Sequence, residues 1–141
     1  MQVARRAEPS EHTTMKAQMP KPGLEATVEE TVSEAQTAEQ LGSGDVPMLG
    51  TPAVLALVER AAVAAVAGTL PEGSTTVGVR VELDHLAPTA VGAAVTANAR
   101  LEAVDGTKLR FSFEVRDPSG PVARGVHLRI LVDRAGFLGR H

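Results

Sequence analysis

Three polar side chains fall at positions where the surrounding pattern is apolar. Glu59 interrupts the helical stretch GTPAVLALVERAAVAAVAG, His85 closes an alternating apolar run, and Arg124 shares the spacing of the valines and leucines of the last strand. Burying polar groups without partners is costly, so such residues are expected to converge on a common task. A carboxyl group desolvated beside an imidazole suits general acid–base chemistry near neutral pH. The plainer reading of Glu59 is structural: it snorkels to the rim, or pairs with Arg60 or Arg80.

The elements that must hold these residues are legible from period and punctuation. Over residues 50–68, Thr51 is predicted as N-cap, Pro52 suits the first helical position and Gly68 closes the helix. Apolar all round except at Glu59 and Arg60, this helix should be wrapped by other structure. Upstream, LEATVEETV reads as a first strand and SEAQTAEQLGSGD as a connection with room for a short helix. Downstream the period becomes two. In TTVGVRVELDH, alternation puts Val77, Val79, Val81, Leu83 and His85 on one face, and Thr76, Gly78, Arg80, Glu82 and Asp84 on the other. The next strand turns Ala93, Val95, Ala97, Ala99 and Leu101 inward, and Asp105-Gly106 closes a hairpin. Leu109, Phe111, Phe113 and Val115 follow, then a turn at Asp117-Pro118-Ser119-Gly120. The last strand places Val122, Arg124, Val126, Leu128, Ile130 and Val132 together, with His127 outward and solvated. One strand, one helix and four more strands predict an α+β domain in which an antiparallel sheet curls round a single helix. Such a sheet covers one side of the helix, so a homodimer is expected.

Composition narrows the function. The 141 residues, 43% hydrophobic, suit one domain over residues 23–141, preceded by a disordered tail over residues 1–22 that lacks any apolar pattern. Aromatics make up 2% of the chain and the net charge is −3, which argues against a nucleic-acid surface. Cysteine is absent, which excludes disulfides, thiolate metal sites and a Cys nucleophile. Glu59 and Arg60 split the best candidate for a membrane span, and Arg5 and Arg6 precede no apolar signal core, so a cytoplasmic location is expected. Asp84 and His85 alternate to opposite faces and make no metal pair, while His12 and His141 fall near the termini.

The ordered set Thr51 and Glu59, eight residues apart, then Gly78 and His85, seven apart, then Arg124-Gly125-x-His127, resembles the hotdog-fold acyl-CoA thioesterases, in particular the group that includes fluoroacetyl-CoA thioesterase. The likeness spans about residues 24–133. It implies a hotdog fold, hydrolysis of a small or medium acyl-CoA, and a catalytic set of Thr51, Glu59 and His85 with the Gly78 backbone close to the thioester carbonyl. Glu59 would serve as base or as direct nucleophile, and glycine lets the acyl group approach closely. Arg124 would bind substrate. No cofactor is implied, because CoA is part of the substrate, and Arg60, Arg80, Lys108 and Arg110 are available for its phosphates. The related enzyme carries an aromatic lid ahead of its Thr; here GSGDVPMLG has none, and Val46, Met48 and Leu49 are expected to cover the pocket. Eight helical residues span about 12 Å, so Thr51 and Glu59 cannot touch within one straight helix; they meet the substrate at different points, or come from different subunits, or the helix begins after Pro52, and a site at the dimer interface is favoured. The alternative is a hotdog protein that binds an acyl thioester or another apolar ligand without cleaving it.

Overall fold

A computed structural model describes residues 19–139. Residues 1–18 of the expected tail, with His12, and His141 at the other end, lie outside the described residues. Pro20 is buried, and the Gly23 N–H donates to the Leu101 carbonyl at 2.8 Å, leading the chain into strand β1 (Glu25–Thr31). A 3-10 turn (Glu34–Gln36) and the one-turn helix α1 (Ala38–Leu41) fill the acidic connection, followed by helix α2 (Thr51–Ala65). Four long strands come next: β2 (Ser74–His85), β3 (Ala94–Asp105), β4 (Lys108–Asp117) and β5 (Gly120–Asp133), with a terminal helix α3 (Arg134–Leu138). They form one five-stranded sheet in the order β1-β3-β4-β5-β2, antiparallel at every pairing. The expected α+β architecture is therefore observed.

The core lies between α2 and the concave face of the sheet. Val54, Leu57, Val58, Ala61 and Ala62 of the helix pack with Val95, Ala97, Ala99, Leu101, Leu109, Phe111 and Val115, as period-two alternation on β3 and β4 requires. Small alanines on β3 let the helix approach closely, and Phe111 supplies the largest fully buried side chain. The opposite stripe of α2 is uncovered: Ala56, Arg60, Val63 and Ala64 are exposed. One chain thus encloses half of the helix that the sequence pattern would have enclosed entirely.

Three local expectations are corrected. Gly50, not Thr51, is the N-cap; Thr51 is the first helical residue, which releases its hydroxyl for a tertiary contact. In β2 the pairing register slips between Gly78 and Arg80, so Val79 is an extra residue and is 56% exposed. Alternation changes phase there: Gly78 lies opposite Arg129, whereas Val81, Leu83 and His85 lie opposite His127, Gly125 and Ala123. Gly78 and His85 therefore share the inner face. In β5 the inner face is Ala123, Gly125, His127 and Arg129; Arg124 is exposed on the outer face and His127 is buried.

Gly125 is where three strands and a ring crowd together. A methyl group there would overlap the Glu82 carbonyl of β2 and come within 2.8 Å of the Phe113 ring. Gly125→Ala should therefore destabilise the domain by about 3 kcal/mol or more, at the upper end for overpacking. Urea unfolding checks this, and an unchanged midpoint would contradict the packing described.

Candidate active site

Most of the residues singled out in the sequence fall into two clusters, Thr51 with His85 and Glu59 with Gly78 and His127, at opposite ends of the first two turns of α2. At its N-terminus, Thr51 Oγ1 lies 2.8 Å from His85 Nδ1, joining the helix to the end of β2. Both residues line an open cavity of about 560 Å³ together with Val46, Met48, Leu49, Leu86 and Pro88. The turn carrying Val46 and Met48 is fixed by its backbone: the Ala38 N–H donates to Met48 O at 2.8 Å and the Glu39 N–H to Val46 O at 3.2 Å. Burial lowers the His85 pKa below the ordinary imidazole value, and a hydrogen bond with the Ala87 backbone opposes that shift. His85 Nε2 is itself buried without a hydrogen-bond partner that meets normal geometry.

The second cluster surrounds Glu59, two helical turns further on. Its carboxylate is not buried in the chain: the side chain is 40% exposed, at a cavity of about 300 Å³ lined by Leu55, Gly78, Val79, Arg80, Val81 and His127. Neither Arg60 nor Arg80 holds it, since these pair with Glu30 and Glu82. Glu59 Oε2 is held by Arg129, whose Nη1 donates to it at 3.1 Å. Arg129 is 6% exposed and tightly bound: Nε donates to Thr76 Oγ1 at 2.9 Å, Nη2 to Thr76 O at 3.0 Å and Nη1 also to His127 Nε2 at 3.2 Å.

This network fixes a tautomer. A carbonyl can only accept, so the 2.8 Å contact between His127 Nδ1 and Arg80 O places the proton on Nδ1 and leaves Nε2 as acceptor for Arg129. Burial lowers the His127 pKa; the Arg80 backbone and Glu59 act against that, while the Arg129 charge adds to it. A neutral His127 thus orients a guanidinium that orients a carboxylate. Glu59 Oε1 has no hydrogen bond among the described residues. Gly78 lets Glu59 take this position. A Cβ there would overlap Glu59 Oε2 and lie 3.1 Å from the His127 ring and 3.2 Å from Arg129.

Arg124, expected at the site, projects to the outer face between Asp84 and Glu114 of the neighbouring strands and belongs to neither cluster. Arg129 and Thr76 were missed. The signal for Arg129 was Gly125-x-His127-x-Arg129, a small and two polar residues at period two, masked by the apolar residues between them. Among the described residues, no three His, Cys, Asp or Glu side chains are grouped as metal ligands would be, and no helix is long and apolar enough to cross a membrane.

The model of the fluoroacetyl-CoA-specific thioesterase family matches residues 32–135, which takes in both clusters. None of the curated proteins matches the chain. Among solved structures, a hot-dog-like protein from Thermanaerovibrio acidaminovorans is 31% identical, with a TM-score of 0.79 over 87% of this chain and 90% of that one. The fluoroacetyl-CoA thioesterase FlK is 25% identical, with a TM-score of 0.80 over 86% and 94%. A thioesterase superfamily member from Thermus thermophilus is 26% identical, with a TM-score of 0.78 over 85% and 89%. Sequence, fold and a carboxylate mounted beside a glycine-lined opening agree: the chain belongs to the fluoroacetyl-CoA-specific thioesterase family, a family of thioester hydrolases on the hotdog fold.

Proposed function

We propose that this protein is a cytoplasmic acyl-CoA thioesterase that cleaves a small or medium acyl group at composite sites, each built from Thr51 and His85 of one subunit and Glu59 of its partner in a homodimer. The observation that carries this reading is the state of Glu59. A buried guanidinium holds one carboxylate oxygen, and the other has no hydrogen bond among the described residues and belongs to a side chain lining an open cavity beside Gly78. That arrangement supports attack on a thioester carbonyl, either by the carboxylate itself or by water it deprotonates. A CoA thioester is favoured because one structure of the related FlK holds fluoroacetate and CoA.

The dimer is supported by what the chain leaves uncovered. Val63 on α2 is 47% exposed and Val79 on β2 is 56% exposed, and β2 is an edge strand with an unpaired side. Along one helix, Thr51 and Glu59 are separated by about 12 Å, too far to act on one carbonyl. Pairing two chains across these surfaces offers a way to set the Thr51–His85 cluster of one against the Glu59 cluster of the other. Thr51 would then offer its hydroxyl to the carbonyl oxygen, and the neutral His85 ring would manage its proton.

Glu59→Gln and His85→Ala should each lower thiol release from short acyl-CoAs by about 10²-fold or more while the protein stays folded. Unfolding and refolding the two variants together is the sharper measurement. Random pairing makes half the dimers mixed, each with one intact composite site, so about a quarter of wild-type turnover should return. Sites contained within one chain would give no recovery. Arg129→Lys keeps the charge but loses the fork that grips Thr76 and Glu59 together, and should cost about 10²-fold in turnover through misplacement of the carboxylate.

The pH dependence follows from the lowered His85 pKa. The neutral ring accepts protons, so turnover should rise with pH and level off below about pH 6.5, the ordinary imidazole value. Stability should move in the same sense. With His85 and His127 both lowered, the unfolded chain takes up protons first, and the melting temperature should fall as pH drops below about 6.5.

A further inference from the structure

The cavity beside Thr51 and His85 is lined mainly by apolar side chains, Ala38, Val46, Met48, Leu49, Leu86 and Pro88 among them, yet one carboxylate-bearing residue, Asp45, sits on its wall. None of the other residues lining it is an acid, a lysine or an arginine, and burial keeps His85 towards its neutral form. Asp45 makes no hydrogen bond or ion pair with the described residues, so none of their cations is paired with its charge. Its place is set by the backbone on both sides. Gly42 ends α1 in the left-handed region, the Ser43 N–H returns to Ala38 O at 2.9 Å, and Val46 and Met48 are tied to Glu39 and Ala38.

We propose that Asp45 is a specificity residue that turns the acyl cavity against acyl groups ending in a carboxylate. The inference rests on the thioesterase reading above and adds the class of substrate. A neutral aliphatic acyl chain gains from the apolar wall. A chain ending in a second carboxylate meets a like charge in a cavity where no lysine or arginine among the described lining residues answers it, and like-charge contact is a device for rejecting wrong ligands. Because Asp45 is exposed to solvent, the discrimination is moderate, about tenfold in affinity at low ionic strength, and salt screens it.

Two thioethers that cannot be hydrolysed separate this inference from the catalytic one: S-butyl-CoA and S-(3-carboxypropyl)-CoA, which differ only in the terminal carboxylate. Calorimetry on the wild-type protein should show the butyl compound bound about tenfold more tightly, with the ratio narrowing as salt is added. In Asp45→Asn the ratio should fall to about twofold. The ratio is the readout, because a merely structural effect of the substitution would weaken both ligands alike. An unchanged ratio in Asp45→Asn, or equal binding by the wild type, overturns the role of Asp45. If both thioethers bind with the expected ratio but butyryl-CoA releases no thiol, the hydrolytic reading alone falls. If neither binds, the cavity is not an acyl-CoA site and both fall.

Discussion

One extra residue in an edge strand decides which side chains of this domain meet. Strand β5 runs without a break through Ala123, Gly125, His127 and Arg129 on its inner face, while β2 gains a residue between Gly78 and Arg80. Gly78 and His85 are separated by an odd number of positions, so a regular strand would send them to opposite faces of the sheet. The bulge cancels that parity. It presents Gly78 to Glu59 and Arg129 at one end of β2, and His85 to Thr51 at the other. It also leaves Val79 projecting from an edge that would otherwise invite indiscriminate strand pairing.

Around that bulge the network is built from the inside outwards. A buried arginine is expensive unless its donors are matched, and Arg129 matches four contacts, two of them on Thr76. His127 contributes because its other nitrogen is committed to the Arg80 carbonyl, next to the bulge itself. The carboxylate at the end of this chain is consequently aimed by groups it does not share with solvent, although it is itself 40% exposed. Such preorganisation suits the attacking role proposed for Glu59, because the orienting energy is spent in folding and not at the moment of reaction.

The parts of the fold legible in the sequence were those whose two faces differ in chemistry. On β4, Leu109, Phe111, Phe113 and Val115 alternate with Lys108, Arg110, Ser112 and Glu114, and only one register buries the first set. Helix α2 announced itself by Pro52 near its start and a glycine beyond its end. Strand β5 misled for a physical reason. Its inner face is where the polar network sits, so His127 and Arg129 point inward while Val126, Leu128, Ile130 and Val132 point outward, half-buried beneath their neighbours. Hydrophobicity therefore named the wrong side, and with it Arg124. A buried polar network inverts the usual pattern, and periodicity has no means of marking the inversion. The bulge was equally silent, since Gly78 and Val79 read as ordinary members of an alternating run.

The placement of Thr51 shows how a helix start can free a side chain for a tertiary contact. As N-cap, Thr51 would have spent its hydroxyl on the backbone of the first turn. With Gly50 taking the cap, the hydroxyl is free to meet His85, and Gly50 itself is hemmed in: a Cβ there would lie 3.0 Å from the Leu41 side chain and 3.1 Å from the Ala38 backbone. The same crowding ties α1, the turn bearing Asp45 and the head of α2 into one wall of the larger cavity. Helix α2 thereby carries one polar cluster at its head and another two turns along, with its own rise setting the distance between them. A rigid helix cannot shorten that distance. In the composite site proposed above, the two clusters meet through a second chain, and the uncovered stripe of α2 beside the open edge of β2 is the surface offered to it.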